Sequence, residues 1–240
     1  MKNNIAGKVV VIVDAASGLG AAAAHHLSHE GATVVLGGAD IERIRELAHE
    51  LRWNGGKSIA VGVDAVDSAQ LEGLLAAAVN AFGRVDVIVN NVAVPGPGYL
   101  EAHIDRGLQG ILYGVSAALP YMQRQRLGQI INVPAPPGDH ENWAAPGGTM
   151  RAVLALSEGL RKEFGQFNIR TTVISSETSQ ALAPGQQRRD GAADTTVGAP
   201  WAAIRAESFA RALAFVINQP DDLAVNEIQF RARPRRAAIH

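Results

Sequence analysis

Three groups of residues in this sequence have the types and spacing that chemistry requires. The first is Asp14-Ala15-Ala16-Ser17-Gly18-Leu19-Gly20, which follows directly on the apolar run Val9–Val13. Glycines so placed allow a tight turn, a close backbone approach to a phosphate, and packing of the following helix on the strand. Gly18 and Gly20 are present, but Asp14 stands where such a turn has its first glycine. A carboxylate about 4 Å from a phosphate charge costs about 4 kcal/mol at an effective dielectric near 20. That approaches a thousandfold in affinity at roughly 1.4 kcal/mol per decade. The opposing reading folds the short Asp14 side chain back onto its own turn. The second group is Asp139-His140-Glu141, which together with Asp14, Glu101 and His103 could form an acid/base site. Its competitor is a polar surface loop. The third is His25, His26 and His29; His25 and His29 share a helix face but have no third ligand, so a solvated face is expected and no metal.

The elements that would position these residues follow from apolar periodicity. The continuous apolar run Val9–Val13 reads as a strand covered on both faces, and short β-rich stretches at Thr33–Leu36, Ile59–Val63, Val85–Val89, Gln129–Val133 and Ile169–Ile174 read as further strands. A last strand spans Glu227–Phe230. Between them, amphipathic stretches predict helices over Ala21–His29, Ile41–Trp53, Ala69–Phe82, about 100–126, about 149–164, and Glu207–Asn218. Asp40 could meet a ribose hydroxyl, but is better placed to cap the second of these. Strands alternating with helices give one α/β domain over residues 1–240, a doubly wound parallel sheet with helices on both faces. The stretch of about 183–205 is rich in Gly, Pro, Ala and Gln, and suits either a mobile lid or a plain surface loop.

Composition excludes several classes. A net charge of −1 gives no footing for nucleic acid or an anionic membrane. The arginines at 231, 233, 235 and 236 form a local exception, read as a solvated or subunit-contacting tail. Absence of cysteine removes disulfides, thiolate metal sites and a cysteine nucleophile. No apolar run approaches the roughly 20 residues of a membrane span, and no secretory leader is seen. A soluble, cytoplasmic protein is the expectation.

Several short stretches together resemble the short-chain dehydrogenase/reductase family across nearly the whole chain. Ser17-Gly18-Leu19-Gly20 is similar to the second half of the family's Thr-Gly-x-x-x-Gly-x-Gly turn. Val63-Asp64 resembles the position whose carboxylate meets the adenine, and Val89-Asn90-Asn91 the Asn-Asn-Ala-Gly motif. Gly110–Gly114 and Leu119–Met122 resemble the central helix, Ile130–Val133 the strand before the catalytic serine, and Ala155–Arg161 the helix that carries tyrosine and lysine. The resemblance implies a dinucleotide held by Ser17, Gly18, Leu19, Gly20, Asp64 and Asn90, and assembly through the two long helices.

The same resemblance implies a catalytic tyrosine, lysine, serine and asparagine, and at those registers stand Pro146, Met150, Ala135 and Gly107. One check needs no register. Residues four beyond Tyr99, Tyr113 and Tyr121 are His103, Ala117 and Gln125, so no Tyr-x-x-x-Lys occurs anywhere. A positioned acid/base contributes about 10²- to 10⁴-fold to rate. The sequence alone therefore predicts a non-redox pseudoenzyme with no resident cofactor, or at most weak NAD(P) binding. It would form a homo-oligomer (dimer or tetramer), or a hetero-oligomer with an active paralogue, and could hold a small-molecule ligand. Two other readings stand beside it: a cofactor-independent enzyme using Asp14 and His140, and a residual NAD(P)-dependent oxidoreductase.

Overall fold

In the computed structural model, residues 3–92, 105–134, 144–176, 181–182 and 204–230 are described. Seven strands form one parallel sheet: β1 (Val9–Val13), β2 (Thr33–Gly38), β3 (Lys57–Gly62), β4 (Val87–Asn91), β5 (Gly128–Val133), β6 (Ile169–Ser176) and β9 (Glu227–Phe230). Their order is β3-β2-β1-β4-β5-β6-β9. Every neighbouring pair is parallel, so helices must cross the sheet's faces between strands.

The helices are α1 (Gly18–His29), α2 (Ile41–Trp53), α3 (Ser68–Phe82), α4 (Gly110–Gln125), α5 (Ala144–Phe164) and α6 (Ala206–Ile217). Leu27, Ile44, Leu51, Leu213 and Ile217 bury one sheet face beneath α1, α2 and α6. Leu71, Leu75, Ile111, Met122 and Leu160 bury the other beneath α3, α4 and α5. With both faces covered, β1, β2, β4 and β5 are buried at every position, which is why β1 reads as an unbroken apolar run. The edge strand β9 alternates between exposed and half-buried.

Local capping sets where the first three helices begin. Ser17, Asp40 and Asp67 each accept the amide three residues on, from Gly20, Arg43 and Gln70, all at 3.1 Å. The cap at Ser17 starts α1 three residues before the expected Ala21. The helix expected over about 100–126 is instead a π-helical turn, Asp105–Gln109, followed by α4; residues 100–104 lie outside the described residues. The helix expected from about 149 begins at Ala144, so Pro146 falls in its first turn, where a missing amide costs nothing. Of the stretch at 183–205, only Ile204 and Arg205 are described. They form β8 and pair in parallel with β7 (Ala181–Leu182). The basic tail lies outside the described residues. Among the described residues, no helix is long and apolar enough to cross a membrane.

Candidate dinucleotide site

The sheet order places the site. Connections from β1 run outward through β2 to β3, while those from β4 run the other way, so a crevice opens at the carboxyl ends of β1 and β4. The turn after β1 occupies it. Asp14 has φ 55°, in the left-handed region where glycine is the default but Asp is tolerated better than most residues. Ala15 donates its amide to the carbonyl of Gly37 at 2.9 Å, tying the turn to β2. Ser17 donates its hydroxyl to the Asp14 carbonyl at 2.9 Å and accepts from the Gly20 amide at 3.1 Å.

Asn91, the last residue of β4, completes the clamp. Its side-chain amide donates to Ser17 Oγ at 2.8 Å and reaches the Asp14 carbonyl at 3.4 Å. Gly20 is fixed by sterics, since a Cβ there would sit 2.5 Å from the Asp14 carbonyl oxygen and 2.8 Å from Ala15 Cα. With the Ser17 hydroxyl proton committed inward, the donors left for a ligand are the first-turn amides of Gly18 and Leu19, which have no intrahelical acceptor. Amides at the start of a twelve-residue helix suit a phosphate anion. The residues present therefore fit a dinucleotide's pyrophosphate. The expectation of no resident cofactor is corrected on that ground: aspartate at position 14 adopts the backbone that the turn needs, and the turn closes.

Asn90 and Asn91 point to different places because strand residues alternate. Asn90 is fully buried, and its amide donates to Asn132 Oδ1 at 2.9 Å. Asn132 in turn donates to Ser157 Oγ at 3.0 Å, linking β4, β5 and α5. A side chain at Gly114 would collide with the Asn90 amide, so glycine there lets α4 lie close to β4. Asn90, named with the cofactor residues by the resemblance, lies in the core, whereas Asn91 of the same motif faces the turn after β1. Strand parity was the signal that separates them.

A cleft of about 640 Å³ lies beside the crevice, lined by Ala39, Ile41, Arg45, Ala60–Asp64 and Gln70. Asp64 accepts from the Val66 amide at 3.3 Å and pairs with Arg106 at 3.7 Å across to the π-helical turn. Gln70 accepts the Asp64 amide at 2.8 Å. The sequence offered no signal for Arg106 or Arg45. Asp40 faces the start of α2, capping it as expected, with Oδ1 on the Arg43 amide.

Of the four positions where the resemblance implies catalytic groups, Gly107 is buried in the π-helical turn, and Pro146 and Met150 lie on α5. The turn packs against α5, so these three belong to adjoining segments. Ala135 and His140 lie outside the described residues, as do Glu101, His103, Asp139 and Glu141. Among the described residues, no cluster of three or more His, Asp or Glu could hold a metal. His25 is instead 3.7 Å from Glu50 on α2.

Comparison with known proteins bears on the same geometry. The short chain dehydrogenase family model matches residues 8–182. An uncharacterized oxidoreductase of Staphylococcus saprophyticus is 34% identical over an alignment of 250 residues, covering 95% of this chain and 97% of that protein. Hydroxysteroid dehydrogenase from Escherichia coli superposes with a TM-score of 0.82 at 18% identity, over 96% of this chain and 98% of its own. A metagenomic short-chain oxidoreductase in complex with NADP gives 0.74 at 24% identity, over 96% and 99%. These findings overturn the reading of a non-redox pseudoenzyme or partner subunit, since relatives matched along nearly their full length are named oxidoreductases. The chain belongs to the short-chain dehydrogenase family.

Proposed function

We propose that this chain is an NAD(P)-dependent oxidoreductase acting on a carbonyl or alcohol substrate. The observation that carries the reading is the closed turn of Asp14, Ser17 and Gly20, clamped by Asn91 at the sheet's switch point. Solved structures of the same fold include one with NADP and one with NADH, which supports a nicotinamide dinucleotide here. Bound along this edge, the dinucleotide supplies or takes the hydride.

The chain's own residues then have separable tasks. Gly18 and Leu19 present amides to the pyrophosphate, and Gly20 keeps the helix close beneath it. Asn91 and Ser17 hold the turn in shape. Asp64 stands at the adenine end, with Arg106 across from it. Without Tyr-x-x-x-Lys, the proton at the substrate oxygen must come from another group, and His140, in the segment after β5, is the candidate. A positioned acid contributes about 10²- to 10⁴-fold, so His140→Ala should lower turnover by up to that factor. On the same reading the chain folds as one domain and pairs with further copies of itself through α4 and α5.

The reading is tested by titrating the full chain with NADH and NADPH and following nucleotide fluorescence. Submillimolar saturation by at least one is expected. Failure of both to saturate would remove the oxidoreductase reading.

A further inference from the structure

We infer that the Thr149 hydroxyl is a substrate-binding group, held free to bond the uncharged oxygen of the ketone, aldehyde or alcohol on which the chain acts. This rests on the oxidoreductase reading above and adds a residue that touches the substrate.

The starting point is a buried hydroxyl with nothing to bond. Thr149 is 6% exposed, and its Oγ1 has no hydrogen-bond partner among the described residues. A buried hydroxyl left unpaired destabilises a fold, so such groups are rare unless something else uses them. A helical threonine can relieve that cost by bonding a carbonyl one turn back, and Thr149 does not. Three other buried side-chain atoms among the described residues lack partners: Asn90 Oδ1, Gln129 Oε1 and Thr171 Oγ1. The first two belong to amides whose nitrogens are bonded, to Asn132 at 2.9 Å and to the Val216 carbonyl at 3.3 Å. Thr171 lies within the sheet, in register with Ile130.

Position separates Thr149 from these. Thr149, Val153, Ser157 and Leu160 are all buried and recur at helical spacing, so they form the inward stripe of α5. Ser157 marks a level on that stripe, because it bonds Asn132, the residue before the end of β5. Thr149 lies eight residues nearer the helix start, about 12 Å along the axis. A helix that joins two parallel strands runs back against them, so Thr149 stands beyond the carboxyl end of β5, on the side where the crevice opens. The π-helical turn Asp105–Gln109, which follows the carboxyl end of β4, packs against the same helix. The hydroxyl is thus buried, neutral and past the sheet edge. It can donate to a carbonyl oxygen in reduction and accept from an alcohol in oxidation.

Thr149→Val keeps the branched shape and removes the hydroxyl, whereas Thr149→Ser keeps the hydroxyl. The full chain and both variants are assayed with NADPH and NADH against cyclohexanone, acetophenone and 2-butanone, and melted without ligand. On the ketone that the parent reduces fastest, Thr149→Val should lower kcat/KM about 10- to 100-fold while dinucleotide affinity stays within about twofold. The same variant should melt about 2–4 °C higher, because an unpaired buried group is gone. Thr149→Ser should keep most of the activity. A melting midpoint that falls or stays level in Thr149→Val would overturn the inference, by giving the hydroxyl a partner within the fold. Unchanged kcat/KM in Thr149→Val, or an equally deep loss in Thr149→Ser, would also overturn it. So would a dinucleotide that saturates the parent while none of the three ketones is reduced. Failure of both dinucleotides to saturate removes the oxidoreductase reading itself, and this inference with it.

Discussion

At the scale of single residues, the account turns on Asp14. Its φ of 55° shows that the turn accepts aspartate, but a carboxylate beside the pyrophosphate path still opposes an anion. Asp14→Asn tests this cleanly, because asparagine tolerates the same backbone and removes only the charge. The variant should bind NADPH about tenfold or more tightly, with solvent and salt screening keeping the gain below the unscreened limit. Unchanged affinity in calorimetry would mean that the carboxylate faces its own turn. Gly18 and Gly20 were legible from spacing alone. The Asn91 clamp was not, because a pair of adjacent asparagines does not announce which one faces the loop. Arg45 and Arg106 were illegible for a different reason: each is an ordinary charged residue until the fold sets it beside a cleft or across from Asp64.

At the scale of elements, apolar runs located the strands, and capping residues account for the helix starts. Val9–Val13, Ile41–Trp53 and Glu227–Phe230 agree with expectation to the residue. The departures have local causes: Ser17 starts α1 early, a π-helical turn interrupts the approach to α4, and Pro146 sits where a helix can begin. Register across the sheet is held partly by buried polar links that no periodicity reveals. The chain from Asn90 through Asn132 to Ser157 is one, and Ser157→Ala strands the Asn132 amide in the core. It should cost about 1–3 kcal/mol in urea unfolding while leaving dinucleotide affinity unchanged. A loss of affinity of similar size would show that this link also shapes the site.

Lys8 gives a second prediction at this scale. It reaches the Ile217 carbonyl at 3.2 Å, and burial, with Arg170 nearby, holds its ammonium pKa below the ordinary 10.5. The unfolded chain then binds this proton more firmly than the folded one, so stability rises with pH in the window just below 10.5. The stability difference between the parent and Lys8→Met should therefore shift in the parent's favour as pH is raised toward that value. A flat difference across urea titrations at several pH values would contradict the assignment.

At the scale of the whole molecule, the order β3-β2-β1-β4-β5-β6-β9 fixes where a ligand can lie, and the sequence made that architecture legible through alternation alone. It misled on function because absent side chains were weighed more heavily than the backbone turn. That turn is a matter of φ, close packing and amides, to which residue identity is only a partial guide. The central claim is that the built turn serves hydride transfer. Its most direct test is to supply NADPH deuterated at the transferable position, with a panel of ketones, and to look for the label on product carbon by mass spectrometry. Deuterium at the carbinol carbon, formed slowly and only with the protein present, is the predicted result. Dinucleotide that binds without ever passing its label, across the panel and in the reverse direction with alcohols, would contradict the account.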